Sequence, residues 1–114
     1  MSKEYAIMIT SDTMGDGDAE LGVKLMSNYL IALSEGDKLP NYVLLMNRGV
    51  FLVKDDAKTV ASLQTLIEKG TRVLACGTCL DYYHLKDTFA AGEISNIYSI
   101  RDIIADADKV ITLG

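Results

Sequence analysis

Thr71-Arg72-Val73-Leu74-Ala75-Cys76-Gly77-Thr78-Cys79-Leu80 is the stretch on which the fold turns. Residues 71–75 form a short apolar run that passes without a spacer into Cys76. The run reads as a buried strand whose end carries two thiols. Thr78 is suited to cap a helix beyond it, with Asp81 three residues on as the reciprocal acid, so a short helix is expected over 80–86.

Working outward, residues 5–10 and 42–46 are further apolar runs of strand length, 109–113 is a closing strand and 94–96 a brief one. Between them the period lengthens. Leu21, Leu25, Met26, Tyr29, Leu30 and Leu33 fall on one helical face, opened by Asp16 or Asp18 and ended by Gly36. Val60, Leu63 and Ile67 form the inner stripe of a second helix, with Asp55 or Asp56 as cap and Gly70 as stop. Ser99 and Asp102 pair as caps for a helix over 100–107.

Strands that alternate with amphipathic helices predict a single three-layer α/β/α domain spanning residues 1–114, with an open, mostly parallel five-stranded sheet. Ligands of such sheets bind beyond the carboxyl ends of the strands. The loops at 11–18, 47–50 and 76–79 all follow strands, so they are expected to converge on one edge.

Sixteen acidic and eleven basic residues leave a formal charge of −5, which disfavours a nucleic-acid partner. The longest apolar runs are far shorter than the ~20 residues of a membrane span. Met1-Ser2-Lys3-Glu4 leads towards the first strand without the regions of a signal peptide, so a cytoplasmic location is the expectation. Two cysteines three positions apart in that compartment are expected to be reduced, which points to chemistry rather than stapling.

Thiols at a helix start are expected to have a lowered pKa, because unpaired amides favour the anion. Several uses of Cys76 and Cys79 compete. They could be small buried residues of a non-catalytic binding or assembly subunit. They could form half of a zinc site, but His84 is the only histidine and there is no second cysteine pair. They could exchange disulfides, but the only proline, Pro40, lies upstream of them. No cofactor or metal is expected. Gly15-Asp16-Gly17 opens like a dinucleotide fingerprint, but Glu20 stands where a small residue is needed.

A fourth use is sulfur handling, and here the sequence resembles a family. Val73 to Leu80, Tyr82-Tyr83-His84-Leu85-Lys86-Asp87 and Gly92 to Tyr98 look like the DsrE-like domain of YedF-type proteins. Thr10 to Gly17 and Asn47-Arg48-Gly49-Val50 resemble that family's first two strand-end loops. The resemblance implies a sulfur-carrier or sulfurtransferase-like protein of the DsrE/DsrF-like family, often oligomeric, working through a cysteine persulfide. The sulfur carrier it implies is Cys76.

Cys79 would be a second thiol, able to resolve a Cys76 persulfide. Asp12, Gly15, Gly17, Gly49, Gly77 and Thr78 are the residues expected to surround the bound sulfur species. YedF-type proteins resemble a fusion with a TusA-like domain that bears a Cys-Pro motif, and this sequence has none. A TusA-like carrier or another thiol donor or acceptor is therefore expected as a separate partner. The link to selenium metabolism that such proteins suggest is weaker here.

Overall fold

The computed structural model describes residues 4–114, so the reading of Met1 to Lys3 lies outside the described residues. Five strands, β1 (Tyr5–Ile9), β2 (Tyr42–Leu45), β3 (Arg72–Cys76), β4 (Glu93–Ser95) and β5 (Lys109–Leu113), form one sheet in the order β4-β3-β2-β1-β5. Every pairing is parallel, with Ile7 opposite Val43 and Ile111, and Val43 opposite Val73. The three-layer architecture expected from the alternation is therefore present.

Four helices make the crossovers: α1 (Ala19–Glu35), α2 (Val60–Glu68), α3 (Gly77–Tyr82) and α4 (Ile97–Asp106). Right-handed crossovers dictate their faces. From β1 to β4 the chain steps in one direction, which puts α1, α2 and α3 on one side. The return from β4 across the sheet to β5 puts α4 on the other. Burial follows the same division, because side chains alternate along each strand. Ile7, Ile9, Val43, Leu45, Val73 and Ala75 pack with Met26, Leu30, Leu63, Leu66 and Leu80 of the first three helices. Ala6, Leu44, Leu74 and Cys76 face Ile100 of α4.

Several local expectations change. Leu21 and Leu25 face outward, and α1 buries Gly22, Met26, Leu30 and Ser34 instead. The helix is rotated because Gly22 lets it close on Thr13 and Met14, where even a methyl group would lie 2.9 Å from Thr13 Cβ. In α2, Leu66 is buried in place of the exposed Ile67.

Asp18 caps α1 as expected, accepting from the Leu21 N–H at 3.0 Å. Thr59 rather than Asp55 or Asp56 precedes α2, and Asn96 rather than Ser99 caps α4, accepting from the Ser99 N–H. The expected turn at 47–50 is the start of a 3₁₀ helix, Asn47–Val53. Among the described residues, no helix is long and apolar enough to cross a membrane.

Candidate functional site

β3 turns into α3 with no intervening loop, and this junction sets the site. Cys76 itself is the N-cap residue, with extended backbone (φ −62°, ψ 121°) and no side-chain capping bond. The expected Thr78 cap is thus displaced: Thr78 already lies in the first helical turn, and the helix ends at Tyr82 rather than near Lys86. The tight junction favours Gly77, since a Cβ there would lie 3.1 Å from the Ser95 carbonyl and 3.2 Å from Ile94 on β4. His84 is exposed and takes a left-handed conformation just beyond the helix.

The two sulfurs have different surroundings. Cys76 is 3% exposed, within the small core under α4. Cys79, three residues on, is half-buried and touches both cores. Both are free thiols. The Cys79 thiol is raised above its ordinary value, chiefly by burial and further by the neighbouring Cys76 thiol. The Asn47 N–H, which donates to Cys79 Sγ at 3.1 Å, opposes that rise. The expected lowering at a helix start is corrected for Cys79: desolvation disfavours the anion more than one amide donor favours it.

Cys79 opens onto a cleft of ≈ 770 Å³ lined by Met8, Thr10, Met46, Asn47, Thr78, Cys79, Tyr82 and Tyr83. The cleft exists because α4, ten residues long and hence about 15 Å, packs over Ala6, Leu44 and Leu74. It leaves the carboxyl-end residues of the same face, Met8 and Met46, only partly covered. The lining is thus mostly apolar, with hydroxyl and amide groups at its edge.

A second group of contacts backs the cleft. The Tyr83 hydroxyl donates to Asn47 Oδ1 at 2.7 Å. Its ring meets Phe51 edge-on at 4.9 Å, and the Arg48 guanidinium lies 4.4 Å from the Phe51 centroid. Asp12 accepts two bonds from Arg48, at 3.2 and 3.0 Å. The bond to that carboxylate keeps the guanidinium even more firmly protonated than usual, while burial works against it. The three strand-end loops therefore do meet, through the Asp12–Arg48 and Asn47–Cys79 contacts.

Of the residues expected around the sulfur species, Thr78 lines the cleft, and Asp12 reaches the site through Arg48. Gly77 shapes the β3–α3 junction. Gly49 lies beneath the site, packed against β1 so closely that a Cβ would fall 2.1 Å from the Ile9 carbonyl oxygen. Gly15 and Gly17 are exposed in the first loop and are not part of the cleft lining. Gly15 has a left-handed φ of +87°, which accounts for glycine there.

Sequence reasoning missed Met8 and Met46, and it quoted Asn47 and Tyr83 only within the family-like segments, without counting them among the site residues. An Asn directly after a strand was the available signal for Asn47, since Asn tolerates left-handed backbone. Among the described residues no group of three or more His, Cys, Asp or Glu side chains converges as a metal site would require.

Comparisons with known proteins agree with this architecture. The sequence profile of the DsrE/DsrF-like family matches residues 3–113. In structure the chain is similar to the YchN protein from E. coli, with a TM-score of 0.72 at 19% identity over 96% of this chain and 99% of that chain. It is similar to MTH1491 from Methanobacterium thermoautotrophicum, titled a protein of unknown function, with a TM-score of 0.68 at 17% identity over 97% and 99%. BT1422 from Bacteroides thetaiotaomicron, titled likewise, gives 0.67 at 10% identity over 96% and 95%. At these identities the likeness is one of fold. No curated protein matches the chain.

Proposed function

The chain belongs to the DsrE/DsrF-like family, which is associated with sulfur relay, and on that premise we propose that it is a sulfur carrier working through persulfides on the Cys76–Cys79 pair. The observation that carries the reading is one thiol on an apolar cleft with a second, buried thiol three residues before it at the end of β3.

Cys79 receives the sulfur. Its thiolate attacks the outer sulfur of a donor persulfide, the donor S–S bond breaks, and the donor leaves as a thiolate. No oxidant or reductant is consumed. The Cys76 thiolate then attacks the outer sulfur of the Cys79 persulfide, so that the sulfur moves inward and Cys79 is restored. Cys76 is thus the carrier, where its burial protects the persulfide from stray thiols. Delivery runs in reverse, to a thiolate presented at the cleft. A TusA-like carrier or another thiol protein is the partner this chemistry requires.

Intact-mass analysis after incubation with polysulfide tests the proposal. The parent is expected to gain a sulfur atom, and Cys79→Ser to load Cys76 at least about tenfold more slowly, a loss of ~1.4 kcal/mol in barrier terms. Cys76→Ser is expected to load but to lose the sulfur quickly to added thiol. A parent that gains no sulfur, or a double serine variant that gains as much, would overturn the reading.

A further inference from the structure

Asn47 holds a backbone conformation that side-chain-bearing residues seldom adopt, with φ +50°. Asparagine enters that region more readily than most residues, but isolated chain would not stay there. Two bonds hold it, both from α3 and the residue after it. Its N–H donates to Cys79 Sγ at 3.1 Å, and its Oδ1 accepts from the Tyr83 hydroxyl at 2.7 Å.

Cys79 and Tyr83 are four positions apart, which places sulfur and hydroxyl on one face. The Tyr83 N–H bonds to the Cys79 carbonyl at 3.1 Å, so their spacing is fixed by backbone as well. The tyrosine ring is held in turn by edge contacts with Phe51 and Tyr82. From the other side, the Met46 N–H bonds to the Ile9 carbonyl at 3.0 Å and anchors the chain just before Asn47.

We propose that Asn47 is a positioning residue for Cys79: the Tyr83 hydroxyl holds its left-handed turn so that its N–H stays aimed at the sulfur and favours the anion there. The purpose of that device rests on the sulfur-carrier reading, but the device does not. An N–H bonds more strongly to a sulfur anion than to a neutral thiol, so the contact gains strength when Cys79 ionises. Cys76 from β3, Tyr82 from α3 and Tyr83 just after it are the titratable groups around that sulfur, and Arg48 of the 3₁₀ helix lies behind Tyr83. Burial and Cys76 both favour the neutral thiol, which leaves the Asn47 N–H as the contact acting in the opposite sense.

The test is the pH profile of Cys79 alkylation by iodoacetamide in a Cys76→Ser background, with thermal unfolding followed alongside. Tyr83→Phe and Asn47→Ala are expected to displace the profile to higher pH and to slow alkylation at neutral pH roughly threefold to tenfold. Asn47→Gly enters the left-handed region freely and is expected to stay nearer the parent than Asn47→Ala. If Asn47→Ala does not fold, Tyr83→Phe decides alone. Folded variants that keep the parent profile would overturn the proposal.

Sulfur loading of the otherwise unaltered protein is measured separately. Displaced profiles without loading would sink the carrier reading and keep this one. Loading with unmoved profiles would do the opposite.

Discussion

Gly49→Ala is expected to damage stability and thiol reactivity together, because one backbone contact supports both. A Cβ at position 49 would lie 2.1 Å from the Ile9 carbonyl oxygen and 2.9 Å from its carbon. Neither atom can turn aside, since Ile9 is fully buried within β1. The same oxygen accepts the Met46 N–H at 3.0 Å. Relief of about 1 Å must therefore lift the 3₁₀ helix from β1, strain that bond and draw the Asn47 N–H away from Cys79. Overpacking costs about 1–3 kcal/mol and a lost hydrogen bond about 1 kcal/mol. The sum, about 2–4 kcal/mol, corresponds to a fall in Tm of roughly 10 °C in a chain of this size. Urea unfolding followed by circular dichroism measures it, with Cys79 alkylation as the second readout. A loss below about 0.5 kcal/mol would refute the reasoning, since the chain would then have absorbed the methyl group without moving.

Three further perturbations address other parts of the account. Asp18→Ala removes the bond to the Leu21 N–H and is expected to cost about 1 kcal/mol in the same unfolding assay. Leu63→Ala empties a fully buried position between α2 and the sheet and is expected to cost about 2–5 kcal/mol. The raised Cys79 thiol makes stability pH-dependent. Folding favours its protonated form, so its contribution is complete below the ordinary thiol value of 9.0 and is lost as pH rises through the higher folded value. Cys79→Ser should flatten that alkaline slope, as unfolding curves at several alkaline pH values would show.

Much of the architecture was legible because it depends on local pattern. Apolar runs such as 42–46 and 71–75 end abruptly, and the helical period begins after each break. The two thiols at the end of β3 could be seen for the same reason. Handedness assigns α4 to its own face only once the strand order, with β5 beside β1, is known. What could not be read depends on contacts distant in sequence. The rotation of α1 comes from its close approach to Thr13 and Met14. Thr78 looked like a cap because of its chemistry, but the strand enters the helix directly at Cys76, two residues earlier. The direction of the Cys79 pKa was misjudged because burial by two cores cannot be seen in Cys-Gly-Thr-Cys. Asn47, 32 positions from Cys79, could be linked to it only by the fold.

Residue-resolved alkylation of the native protein bears most directly on the claim that a reachable sulfur stands at the carboxyl edge of the sheet. Brief iodoacetamide treatment followed by peptide mapping should find the label on Cys79, with Cys76 modified only after unfolding. Two thiols that both stay unlabelled until the chain unfolds would contradict the account and leave the pair a structural role.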